Sequence, residues 1–326
     1  MDKKAANIIK YTVSAVIAVL CIWMVVSKVE WASFWQGLQS TRWGWMILFA
    51  AASILALVFR TERWRELLLP LEPGTKRIDT WDALNIGNLA NIALPGAGEL
   101  LRCGLVTSGK ATYDKSLGAI VMERAWDVLA IIIVFVLSLT LKWSEFGPFV
   151  QEHLVQPFRE GHNFGIWPLV VLVVAALAAA VWAVFHFRER SRFCGRIAGA
   201  LGGVVQGAGS FLKVKRKLRF ALLTVLIWIS YILMSWFGIQ AIPALSGLTF
   251  TDALFISAVG NLASVIPVPS GMGPYHYLMM ITFAFLYGFP DDTGLLYAVL
   301  CHEGHAIVII LLGVISYLRF SLRKKK

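Results

Sequence analysis

Residues 84–106 read LNIGNLANIALPGAGELLRCGLV, and residues 259–280 read VGNLASVIPVPSGMGPYHYLMM. Both stretches are apolar, and both are interrupted by Pro and Gly. Proline lacks an amide hydrogen and its ring clashes with the preceding turn, so a continuous helix through either stretch is disfavoured. The two also match in order and spacing. The first runs Asp82-Ala83-Leu84, Gly87-Asn88-Leu89-Ala90-Asn91, then Pro95, Gly96 and Gly98. The second runs Asp252-Ala253-Leu254, Gly260-Asn261-Leu262-Ala263-Ser264, then Pro267, Pro269, Gly271 and Gly273. Order, spacing and chemistry agree within a three-residue insertion. We read an internal repeat of two re-entrant broken-helix hairpins, at 80–108 and 251–290.

Outward from the hairpins lie six unbroken apolar stretches: Tyr11–Ser27, Trp43–Phe59, Gly118–Leu141, Ile166–Phe185, Phe220–Ile242 and Leu295–Leu318. Each approaches the roughly 20 residues that carry a helix across about 30 Å of hydrocarbon. Composition agrees: 58% of the chain is hydrophobic and 15% charged, against about 25% charged in soluble domains. The fold class is all-α, a polytopic membrane bundle forming one domain over 1–326, with halves at about 1–141 and 166–319. Met1 to Lys10 is basic and leads into an apolar run, as a signal peptide does. No small-x-small cleavage site follows within Cys21–Lys28, so a retained first span is expected. Cys21, Cys103, Cys194 and Cys301 are scattered without a CxxC, which argues against a disulfide framework.

The net charge of +11 is explained by topology. If six spans cross and each hairpin returns to the side it left, 24 Lys and Arg fall on one side and only Lys28, Arg42, Lys142 and Arg159 on the other. Positive charge marks the cytoplasmic face, so both termini are expected there, and nucleic acid is not an expected partner. Arg188–Arg219, basic at its ends and Gly-rich between, is expected to lie along that surface near anionic headgroups. The hairpins then enter from opposite faces. Inverted repeats with broken helices mark transporters, with the substrate near the midplane between the halves.

Three motifs, PGAGELLR, ERAWD and PVPSGMGPYH, resemble the transmembrane region of the lysylphosphatidylglycerol synthases. That region is the flippase part of bacterial multiple-peptide-resistance factors and also occurs alone. The resemblance spans roughly Ile8 to Arg319. It implies a helical bundle with two oppositely entering hairpins, in a bacterial inner membrane, moving a lipid between leaflets. Full-length members carry a soluble aminoacyltransferase domain after the membrane part. This sequence ends at Arg323-Lys324-Lys325-Lys326, so lysine transfer is not expected of it; a phospholipid or polyprenyl lipid remains the expected substrate.

Ionisable groups at membrane depth are costly and default to functional candidates. Glu99 and Arg102 follow the first break, and Glu123, Arg124 and Asp127 begin the next span. Glu123 and Asp127 share a helix face, with Arg124 about 100° away. Arginine is permanently charged and bidentate, the natural phosphate clamp; the alternative is an ion-pair lock between hairpin and helix. Asn88 and Asn261 of the repeat, with Pro95, Pro267 and Pro269 at the breaks, complete the expected substrate-binding set. Ser270, Gly271 and Gly273 offer backbone N–H groups to an anion, or form only a tight turn; His276 is a phosphate donor or an interfacial residue. His302-Glu303-Gly304-His305 is HExH, not the HExxH of zinc proteases. Its expected use is a polar lining or a proton-coupling Glu303, with no metal.

No Walker motif or cofactor fingerprint occurs, so transport is expected to be passive or ion-driven and the protein not an enzyme. A small-solute transporter and, behind it, an intramembrane hydrolase or transferase are the alternatives. The expected partner is a membrane lipid; a homo-oligomer is compatible with this reading.

Overall fold

The structure, a computed structural model, describes residues 30–94, 96–106, 112–143, 212–263 and 273–324. The expected spans Tyr11–Ser27 and Ile166–Phe185, most of the Arg188–Arg219 loop, and Pro95, Pro267, Pro269, Ser270 and Gly271 lie outside the described residues. Among those described there are helices and no strands. They are α1 (Trp31–Gln39), α2 (Trp43–Leu68), α3 (Arg77–Ala93), α4 (Ala97–Val106), α5 (Tyr113–Leu141), α6 (Lys217–Ala241), α7 (Phe250–Leu262), α8 (Pro274–Tyr287) and α9 (Asp291–Lys324). Trp43–Leu68, Lys217–Ala241 and Asp291–Arg323 are long and apolar enough to cross a membrane.

The first break has a local cause. Leu94 precedes a proline, which pushes its backbone out of the helical region, and it is extended at φ −142°, ψ 109°. Gly96 then takes φ 81°, a left-handed value that glycine adopts without penalty. The chain turns, and α4 folds back against α3. A Cβ on Gly98 would lie 2.2 Å from the Gly87 carbonyl oxygen, so the two backbones touch where the repeat places its glycine. The Gly98 N–H donates to Asn91 Oδ1 at 2.8 Å, capping the start of α4. In the second pair α8 opens on Pro274, where a missing N–H costs nothing. There a Cβ on Gly260 would meet the Tyr275 ring at 3.0 Å. Each GNLA glycine therefore faces the arm beyond its own break.

The α2–α6 pair forms the spine. The two run antiparallel: the N-terminal half of α2 (Phe49, Ala52) shares a core with the C-terminal half of α6 (Met234, Ile239). Trp64 and Leu67 near the end of α2 share another with Phe220 at the start of α6. The first core holds α7, α8 and the early part of α9; the second holds Ala83 of α3, Cys103 of α4 and the start of α5. The two broken pairs thus sit at opposite ends of the spine.

Each is anchored by its aspartate on the far half. Asp82 pairs with Arg319 near the end of α9. Asp252 accepts from Lys142 Nζ, just past the end of α5, at 2.5 Å, and also closes a capping box with Thr249.

Several boundaries differ from the sequence reading: α5 starts at Tyr113, not Gly118, and α9 runs from Asp291 to Lys324, not Leu295 to Leu318. Helix α2 does not stop at Phe59 but runs to Leu68, and α1 was not foreseen. Arg60 and Arg63, two of the 24 cations counted above, instead pair from α2 with interior carboxylates, and Arg63 is fully buried. Removing them leaves 22 basic residues against 4.

Apolar side chains cover the outside as well as filling the cores, and charges lie within. Leu55 on α2, Ile132, Ile133 and Val136 on α5, Val225 and Ile229 on α6, and Leu311 and Ile315 on α9 point outward, while Arg63, Asp82, Arg102 and Glu123 are buried. Contiguous apolar surface of this extent belongs in lipid.

Candidate functional site

Besides the Asp82 and Asp252 anchors and Glu66, which faces Arg219, the interior charges among the described residues fall into two groups, one per broken pair. In the first, Arg102 on α4 donates to Glu123 Oε2 on α5 at 2.6 Å. Glu123 Oε1 faces Arg60 at 3.4 Å and Arg63 at 3.6 Å, and Arg63 donates to Asp127 at 2.6 Å. At the edge, Arg124 donates to Glu99 at 2.6 Å, and Glu99 also accepts from Asn91 at 3.2 Å. Four arginines meet three carboxylates, so the group carries one excess positive charge. The Arg102 guanidinium also lies 4.1 Å from the centre of the Trp64 ring, a cation–π contact in a dry setting. Arg60 Nε, Arg63 Nε and Nη1, and Arg102 Nε have no hydrogen-bond partner among the described residues.

The second group sits on α8 and α9. His276 Nε2 lies 3.4 Å from Glu303 Oε1, and His302 Nδ1 contacts the other oxygen, Oε2. His305 Nδ1 is 2.7 Å from Ser53 Oγ on α2, so the two histidines of the HExH run part company.

A cavity of about 300 Å³ separates the groups. Arg60, Arg124 and Asp127 line it from the first group, and His302 and His305 from the second. Asn261, Ser257 and Tyr275 of the second broken pair close one wall, and Phe49, Trp228 and Tyr231 supply aromatic surface. This lies at the small end of ligand sites, which run from about 300 to 1,000 Å³.

Not all the residues picked from sequence reach this cavity. Arg124, Asp127 and Asn261 line it. Arg102 and Glu123 lie behind it, buried against α2. Glu99 sits beside Arg124, Asn88 is half-buried with its Nδ2 unpartnered among the described residues, and Gly273 caps α8. His276 and Glu303 face each other. Sequence reasoning missed Arg60 and Arg63. The signal was present: Arg60, Arg63, Trp64 and Leu67 recur at i, i+3, i+4 and i+7, one helical face.

Outward apolar faces, inward charges and two helix breaks define an integral membrane protein with a polar interior site. The family model described as the lysylphosphatidylglycerol synthase TM region matches residues 8–313, and the chain belongs to that family. No curated protein and no solved structure matches the chain.

Proposed function

We propose that the protein moves a phosphate-bearing lipid, a phospholipid or polyprenyl-phosphate type, between membrane leaflets. The observation carrying this reading is the cavity between the two broken pairs, walled by Arg60 and Arg124. Both cations are fixed on their own helices, and the excess charge of the first group favours an anion. A volume near 300 Å³ holds a headgroup, so the acyl chains stay outside against the apolar faces. Arg60 and Arg124 make the phosphate contacts, while Arg102 holds α4 to α5. This shifts the clamp from Arg102, the first choice on sequence, to arginines that reach the cavity.

The 22-to-4 charge split supports cytoplasmic termini in a bacterial inner membrane, with the broken pairs entering from opposite faces. A cysteine placed at Asp292, in a chain freed of its native cysteines, then reacts with an impermeant reagent from outside; reaction only from the cytoplasm removes the inverted arrangement.

Native mass spectrometry of the purified protein tests the substrate class. The expected result is a retained phosphate-bearing lipid that Arg60→Gln/Arg124→Gln loses. Equal retention by that variant, with folding intact, rules out this cavity as its site.

A further inference from the structure

We propose that His276, His302 and Glu303 form a binding site for a divalent transition-metal ion of the zinc class. The three side chains offer two imidazole nitrogens and a carboxylate, with ligand atoms all within 4.8 Å of one another. Two nitrogens and one oxygen with a position left open is the donor set of open zinc sites. His276 Nε2 and Glu303 Oε1 are 3.4 Å apart, long for a hydrogen bond. The same distance matches the edge of a tetrahedron with bonds of about 2.1 Å. His302 Nδ1 and Glu303 Oε2 sit closer and open slightly around an ion.

Charge points the same way. In the first half every buried carboxylate faces arginine. Among the described residues Glu303 pairs with no Lys or Arg, only with the two imidazoles. A divalent ion supplies the missing positive charge and is held by two neutral rings and one anion. His302 also lines the cavity, which gives the ion a path in. The HExH spacing of α9 does not disclose the site, because the third ligand comes from α8. The fourth polar residue, His305, is engaged by Ser53 and is not a ligand.

The full chain, purified in detergent and stripped with a chelator, is titrated with Zn(II) by calorimetry, with metal content read by elemental analysis. One equivalent per chain is expected. His276→Asn and Glu303→Gln should each weaken binding by about 100-fold or more, since outer-shell partners alone are worth 10–100-fold. His305→Gln should weaken binding by less than about tenfold, below even the outer-shell range, since His305 is engaged by Ser53 and holds none of the three ligands. Co(II) substituted for Zn(II) reads folding and ligation together, through its visible absorption in each variant. A stripped chain that takes up no Zn(II) overturns the proposal and leaves a hydrogen-bonded triad. So does uptake indifferent to His276→Asn and Glu303→Gln, or uptake abolished by His305→Gln alone. None of these readouts depends on lipid transport.

Discussion

In the first half, Arg102 on the arm beyond the break reaches Glu123 on the following helix; in the second half, His276, one position earlier on its own arm, reaches Glu303. The geometry is shared, and the chemistry is not. Glu123 is fully buried and faces three guanidiniums, whereas the Glu303 side chain is 38% exposed and faces two imidazoles. Guanidinium is charged at every accessible pH and satisfies a carboxylate permanently. Imidazole is neutral or charged within the physiological range and also ligates metals. The repeat thus sets where an arm meets a span, while residue choice decides whether that contact is a fixed lock or an adjustable one.

The largest expected effect tests this asymmetry. Glu123→Ala strands Arg102 in a dry interior, Arg63 keeping its pair with Asp127, and should cost about 3–5 kcal/mol, whereas Glu303→Ala should cost about 1 kcal/mol or less. Thermal melting in detergent reads both; equal losses break the comparison.

Next comes the lock itself. Arg102→Ala should destabilise by about 3–5 kcal/mol, because Glu123 loses its closest partner. Adding Glu123→Gln should restore more than half of that loss, a coupling of a size seen between contacting groups. Additive losses would show that Arg102 acts through Trp64 packing instead.

A smaller pair sharpens the symmetry. Asp82→Asn and Asp252→Asn each remove a charged acceptor that ties one half to the other, and each should cost about 2 kcal/mol by the same melts. The Asp252 change should cost somewhat more, since it also weakens the Thr249 capping box. A large effect at one aspartate and none at the other denies the anchors a common role.

Much of this was legible in the sequence. The first break was, because Pro95 and Gly96 act on their immediate neighbours: Leu94 and Gly96 take the backbone angles their types dictate. The Asp–cation anchors were only half legible; the repeat marked Asp82 and Asp252, but Arg319 and Lys142 lie far along the chain. Arg60 and Arg63 were hidden by a composition rule. A cluster of charges after an apolar run reads as the end of a span, yet here α2 carries its charges inward for two more turns. Arg102 was recognisable as ionic, while its position behind the cavity depended on how α4 folds onto α3. The His276–Glu303 contact joins two helices across a turn whose length the spacing does not fix.

On the proposed function, phosphate is held by the arginines lining the cavity and not by those behind it. Transport of a labelled phospholipid in reconstituted vesicles tests it most directly. Two double variants are compared with the native chain, each first shown to be folded by its melting curve. Arg60→Gln/Arg124→Gln removes the cavity cations, and transport should fall at least about tenfold, the loss of one charge-assisted contact of 1.5–3 kcal/mol. Arg102→Gln/Glu123→Gln removes the buried pair as a neutral unit, and transport should stay within about threefold of native on the same scale. The reverse pattern, with transport kept by the cavity variant and lost by the buried one, contradicts the account.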